Sequence, residues 1–374
     1  MIWEEEWWRR MSGPHRFIES ASDLLQKNGM VLLQVPEDLS WRYGLRAAMT
    51  DKIREWNNGI MSEELDVRDD CGTVSNETEA GRAILEKLEP KIGYRFRSSD
   101  NMPRYLCNNY ENLFGNRLLW VKGIPDAESC RAFCKLCTHC QRGKIRIVLE
   151  DTTGFGRPHS NLQAVRYFDY VSAFDVQLLT TLVANATHEK LTPLWKQYIA
   201  VLAANLCEPD TELAVTMVED YDLRSTEPLD AMAQLLNDMR FSRRGTGAHV
   251  LNRMRSDADG GAEYLKQRVW KSQLRLGLPV LEQAVSAIIQ MNDKKIQDAL
   301  DNNVIIQYNK RVTSLDSVGA GTLRHLKDAG YIHVSEEISR QIDLIHDNRN
   351  RLAHRKLCTI SQMEDIFSFD VYCQ

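Results

Sequence analysis

The sequence predicts an α/β N-terminal domain with a mainly parallel sheet, then an all-α middle region and a C-terminal helical bundle. Three observations predict this. Short continuous apolar runs, the pattern of strands buried on both faces, alternate with helical periodicity over roughly the first 150 residues. The strand signal stops after about residue 172. From there on, apolar residues recur at helical spacing. The boundaries expected are 1–170 for the α/β domain, 171–261 for the helical middle and linker, and 262–374 for the bundle.

In chain order, "PHRFIESASDLLQKNG" places Phe17, Ala21, Leu24 and Leu25 on one helical face and closes on Gly29. "MVLLQV" (30–35) follows as a buried strand, and "SWRYGLRAAMTDKIREW" as a helix with Ser40 as its expected cap. "RLLWVKGI" (117–124) and "KIRIVLE" (144–150) are two further strands, with a helix expected over 126–140 between them. Strands separated by helices favour a parallel sheet, because parallel neighbours need a crossover connection. Later, "SRRGTGAHVLNRMRSDADGG" (242–261) reads as an interdomain loop. Trp270, Leu274, Leu278, Leu281, Val285 and Ile288 continue one helical row through Pro279, which predicts a long helix kinked there. "GTLRHLKDAG" gives a shorter helix ending at Gly330. "SEEISRQIDLIHDNRNRLAHRK" gives a long one capped by Ser335, and "SQMEDIFSF" a last one with a capping box of Ser361 and Glu364.

Among 374 residues, 43% are hydrophobic and 26% charged, ordinary values for a globular chain. The net charge of −5 argues against a general polyanion binder, so contact with nucleic acid would need a local basic patch. No apolar run reaches the roughly 18–20 residues of a membrane span. With no apolar leader at the N-terminus and an odd number of cysteines, nine, the expectation is a cytoplasmic protein with reduced thiols and no membrane contact.

Cys130, Cys134, Cys137 and Cys140 make the loudest motif, C-x3-C-x2-C-x2-C. Its first three members match the spacing of radical-SAM cluster ligands, and zinc accepts four thiolates. On a helix, however, Cys130 and Cys140 would stand about 15 Å apart, too far for one metal to collect all four. Core packing is therefore the expected role, and no metal or other cofactor is expected.

"KIRIVLED" ends in Glu150 and Asp151, as a Walker B strand does, and "MVLLQV" sits where a phosphate-loop strand would. The latter continues into "PEDLSW", and G-x-x-x-x-G-K-[ST] occurs nowhere in the chain. This part resembles a P-loop NTPase core without its nucleotide site.

The C-terminal helix poses the sharpest question. Its apolar row runs Ile338, Ile342, Ile345, Arg349, Leu352, so an arginine occupies a core-row position. A buried, unpaired guanidinium costs several kcal/mol, so Arg349 must face a carboxylate, a phosphate or an open cleft. His346, Asn350 and His354 form a second row beside it, and Asp343 or Asp347 could serve Arg349 as a structural partner. The string "RNRLAH" (349–354) resembles the R-x4-6-H motif of the HEPN (higher eukaryotes and prokaryotes nucleotide-binding) superfamily, including the polar residue after the arginine. The resemblance covers the helical unit 262–374. It implies metal-independent endoribonuclease activity, with the ribose 2′-hydroxyl as nucleophile and a 2′,3′-cyclic phosphate as product. It further implies a homodimer in which two copies of the motif face each other. Carried over, His354 is the acid–base group, Arg349 stabilises phosphate charge and Asn350 orients. An imidazole takes and gives protons near neutral pH, and a guanidinium fork matches phosphate oxygens, so the chemistry suits the residue types.

Residues 238–275 hold nine Lys or Arg against four acids, a local charge of about +5. Within it, Arg243, Arg244, Arg253 and Arg255 are the expected RNA contacts. By the same resemblance the setting is a regulated effector of a prokaryotic anti-phage or toxin-like system, with a partner or regulator from that system. The alternative is a non-catalytic scaffolding subunit whose bundle mediates dimerisation or partner binding.

Overall fold

The computed structural model describes residues 2–97, 100–242, 244, 249–256, 258–307 and 310–369. The chain forms two compact units, Met1–Asp175 and Val176–Gln374.

The first unit is built on a five-stranded parallel sheet: β1 Met30–Gln34, β2 Met61–Asp66, β3 Arg117–Lys122, β4 Ile147–Asp151 and β5 Gln163–Arg166, in the order β2-β3-β4-β1-β5. β1, β3 and β4 are the three strands read from sequence. Each is interior to the sheet and buried along most of its length, which is why each reads as an unbroken apolar run. β2 and β5 escaped the reading because they are the edges. "MSEELD" and "QAVR" are mostly exposed or half-buried, so their apolar content is too low to signal a strand.

Helices α1 (Ile2–Arg10), α2 (Ser12–Asn28), α3 (Arg42–Arg54) and α4 (Ala127–His139) belong to this unit. Gly29 closes α2 with a left-handed φ of 79°, and its N–H caps the Leu25 carbonyl, as the sequence predicts. The start of α3 differs from expectation. Trp41, not Ser40, occupies the cap position at a φ of 49°, and no side chain caps that helix. Asp126 caps α4 by accepting from Ser129 N–H at 2.8 Å.

Cys130, Cys134 and Cys137 lie buried on the core face of α4, in one cluster with Phe133, Leu136, Met30 and Leu149. Cys140 is buried just past the helix end. Among the described residues no three His, Cys, Asp or Glu side chains stand close enough to hold a metal ion. Burial, with a smaller contribution from neighbouring Cys134, pushes the Cys137 thiol well above its usual value, as a packed hydrophobe requires. Cys137→Ser should cost about 1–3 kcal/mol in urea unfolding, a hydroxyl placed without a partner. Elemental analysis finding about one zinc or several irons per chain would refute the packing role.

In the second unit, α5 (Pro193–Cys207) packs along α7 (Ala258–Met291), and Asn205 donates to Ser272 Oγ at 2.8 Å. The segments expected to part at 261 therefore share one compact unit. Nor is 242–261 a plain loop: residues Val250–Ser256 form α6, packed on α7. Val250 and Leu251 are buried, and that pair of core residues outweighs the glycine-rich flanks. The helix α7 runs unbroken through Pro279. α8 (Ala320–Asp328), α9 (Glu336–Ala353) and α10 (Ile360–Ser368) follow in the same unit. Ser335 caps α9 by accepting from Ile338 N–H, as expected. The capping box of α10 is Thr359 with Gln362, two residues earlier than Ser361 with Glu364. Gly277 permits the close approach of α7 to α9 and α10; a Cβ there would stand 3.3 Å from Leu352 Cδ1. Among the described residues no helix is long and apolar enough to cross a membrane.

Candidate functional site

Two places invite chemistry. The first is the crevice beyond the carboxyl ends of β1 and β4. The connection after β1 leads to one edge of the sheet and the connection after β4 to the other, which makes this the topological switch point where such sheets bind ligands. Here the chain fills it with its own groups. Glu150 and Asp151 point to opposite faces, as strand alternation demands. Asp151, 1% exposed, accepts from Thr153 N–H (2.8 Å), Thr153 Oγ1 (2.6 Å), Gly154 N–H (3.1 Å) and Gly156 N–H (2.9 Å). Gly156 is tied into this cradle, since a Cβ there would meet Asp151 Oδ2 at 2.7 Å. On the other face, Glu150 accepts from Trp120 Nε1 at 2.7 Å and pairs with Arg46 at 3.2 Å and Arg42 at 3.3 Å. Arg42 also donates to the carbonyls of Pro36 and Glu37, in the loop where a phosphate cradle would lie. Both carboxylates are committed within the fold.

Burial disfavours the charged form of Asp151, but hydrogen bonds from Thr153, Gly156 and Gln34 outweigh it and hold the carboxyl below its usual value. A folded value below the unfolded one gives stability that is present above about pH 4 and lost as pH falls through the folded value. Asp151→Asn should therefore flatten the acid limb of the stability profile of this chain. An unchanged acid limb in denaturant titrations would contradict the cradle.

The second place lies at the C-terminal end of α9. Ile342, Ile345 and Leu352 are buried as the row requires. Between Ile345 and Leu352 the core position falls to Asn348, which is 3% exposed. The row steps 3 then 4, where the sequence reading stepped 4 then 3; a 3.6-residue period allows both, and only packing decides. Arg349 consequently stands at the rim. Its Nε donates to Glu282 Oε1 on α7 at 2.6 Å, and the two side chains are 36% and 44% exposed. The structural partner is thus Glu282, not Asp343 or Asp347.

Those aspartates serve a different arginine. Arg324 on α8 reaches Asp347 at 2.5 Å and His346 Nδ1 at 2.7 Å, while Lys327 takes Asp343 at 2.5 Å. Burial pushes the Asp347 carboxyl up, but His346 and Arg324 outweigh it and hold it low. Asp347 Oδ1 also stands 3.2 Å from the same His346 Nδ1. The Asn350 amide nitrogen, Nδ2, stands 3.0 Å from His346 Nε2.

The chain beyond α9 is pinned at two points. Trp270 Nε1 donates to the Leu352 carbonyl at 2.7 Å, and buried Gln273 exchanges two hydrogen bonds with the Cys358 backbone, at 2.7 and 2.9 Å. Between them His354 ends the helix, exposed, with no side-chain hydrogen bond among the described residues. Arg349, Asn350 and His354 line one open cleft of about 630 Å³, together with His346, His325 and the 319–322 segment. The sequence reading placed the motif residues and His346; it missed His325, whose element carries no motif.

The expected RNA contacts fare differently. Arg243 lies outside the described residues. Arg244 is no surface cation: its Nη1 donates to both carboxylate oxygens of buried Asp210 at 2.9 Å, and its Nη2 pairs with Glu212. Arg253 stacks on the Tyr264 ring at 4.5 Å, and Arg255 donates to the carbonyls of Arg244 and Phe241. Acids distant in sequence absorb part of the local positive charge.

No protein-family model matches the chain, and no curated protein sequence matches it. Among solved structures it is similar to the Walker-type ATPase PABY2304 of Pyrococcus abyssi, at 12% identity and a TM-score of 0.37, over 91% of this chain and 89% of that one. It is also similar to the ORC2 protein of Aeropyrum pernix, in its ADPNP–ADP complexes, at 11% identity and a TM-score of 0.29, over 91% and 93%. Neither likeness is close enough to carry a function to this chain.

Proposed function

We propose that the C-terminal helices form a metal-independent endoribonuclease of the HEPN type. The observation that carries the reading is the gathering of Arg349, Asn350 and His354 in one open cleft, with the imidazole of His354 unencumbered. In the reaction the ribose O2′ attacks the adjacent phosphorus, the O2′–P bond forms and the P–O5′ bond breaks. The proton leaving O2′ and the proton arriving at O5′ require a base and an acid. His354 fills one role, and the same cleft of a second copy would supply the other. Arg349 steadies the charge that grows on the non-bridging oxygens. The proposal includes a homodimer and a setting as a regulated effector, with a partner protein, in a prokaryotic anti-phage or toxin-like system.

The Arg349–Glu282 pair favours a second reading, in which the bundle is a scaffold and the arginine is structural. Magnitude weighs against it. A pair this exposed contributes about 0–1 kcal/mol, little enough for a phosphate to displace the carboxylate. The deciding test is incubation of the purified chain with labelled RNA in EDTA. Products ending in 2′,3′-cyclic phosphate support the nuclease; intact RNA across varied substrates and protein concentrations supports the scaffold.

A further inference from the structure

A second cavity of about 590 Å³ opens where the chain leaves α9, lined by Lys266, Trp270 and Lys271 of α7 and by Arg351, Arg355 and Lys356. One acidic residue, Glu263, faces these five cations. Three other cations of the second unit's basic stretch are spent on acids within the fold: Arg240 on Asp220 and Asp238, Arg244 on Asp210 and Glu212, Arg268 on Glu208. Lys266, Lys271 and Lys356 are exposed and form no ion pair among the described residues. Five like charges gathered beside one acid repel one another, so the cavity favours an anion of several charges. Trp270 adds an aromatic wall, with the Arg355 guanidinium 5.7 Å from its ring. Arg355 holds that place from a left-handed backbone, φ 57°, a conformation that costs a non-glycine residue energy and persists only when its surroundings enforce it. The Trp270–Leu352 and Gln273–Cys358 hydrogen bonds enforce it.

We propose that this cavity is the docking groove for single-stranded RNA. The cations take successive phosphates and Trp270 gives a base a stacking face, the combination that suits single strands. The inference rests on the nuclease reading for its choice of RNA, and the groove is separate from the cleaving residues. His354 lies between Arg351 and Arg355 in the chain, so a strand held here is led to the cleft at the end of α9.

The test is fluorescence anisotropy of the full chain with a labelled single-stranded RNA, made non-cleavable by 2′-O-methyl groups so that binding is read apart from turnover. Lys266→Glu with Lys271→Glu should weaken binding at least tenfold. For the parent, neutralising five phosphates predicts a slope of log K against log salt of about −3.5; Lys266→Gln with Lys271→Gln should lower its magnitude by about 1.4. Arg240→Gln, whose charge is already paired, should leave both unchanged, and circular dichroism checks that each variant is folded. Binding that survives the charge reversal, or an absence of RNA binding in the parent, overturns the groove. A parent that binds through these residues yet cuts no RNA would instead overturn the nuclease and leave the groove standing.

Discussion

His354→Ala is expected to reduce RNA cleavage by about 10²–10⁴-fold, the usual worth of positioned acid–base help, without loss of fold. The side chain is exposed and makes no hydrogen bond among the described residues, so its removal leaves nothing buried unsatisfied. Arg349→Ala is expected to be at least as severe in cleavage, because the guanidinium acts on charge that appears in the transition state. In stability it should cost about 1 kcal/mol or less, the worth of an exposed pair with Glu282. Both residues act on one transition state, so the double variant should cut little more slowly than either single one. Asn350→Ala should be milder, since it orients His346 and adds no charge. Arg340→Ala, exposed two turns from the cleft, is the control and should cut like the parent. A His354→Ala protein as fast as the parent would transfer the cleft to the scaffold reading.

The largest stability effect is expected in the other unit. Glu150→Ala should lower the stability of the first unit by about 3–5 kcal/mol, the cost of breaking a buried ion pair from one side. The Glu150 side chain is fully buried and the Arg46 side chain is 10% exposed. Its loss leaves Arg46 with Glu64, 3.5 Å away, as its carboxylate partner among the described residues, and strands the Trp120 N–H in the interior. Glu150→Gln should be gentler, because the amide oxygen still accepts from Trp120. Urea unfolding of the chain, followed by tryptophan fluorescence, measures the difference. A loss under 1 kcal/mol would mean that Glu150 does not hold α3 to the sheet, and the account of the filled crevice would fall with it.

The sequence by itself determined what depends on local pattern. β1, β3 and β4 were legible because strands buried on both faces leave no polar alternation. The long helices were legible because each buries a stripe, and the ends of α2 and α9 because Gly29 and Ser335 act on neighbouring backbone groups. The Arg349–Asn350–His354 motif was legible as a spacing that returns to one helix end. Tertiary structure alone decided the rest. The edge strands β2 and β5 carry too little apolar residue to show, and they exist because β3 and β1 offer them hydrogen bonds. Which of two adjacent residues enters the core row, Asn348 or Arg349, turns on a fraction of a helical turn that only packing against α7 fixes. Charge was decided farthest from the sequence. Arg244 is neutralised by residues more than thirty positions away, whereas Lys266 and Lys271 keep their charge for solvent because, among the described residues, no acid forms an ion pair with them. A cation's availability is a property of its neighbours in space, since Coulomb energy depends on distance and burial and not on position along the chain.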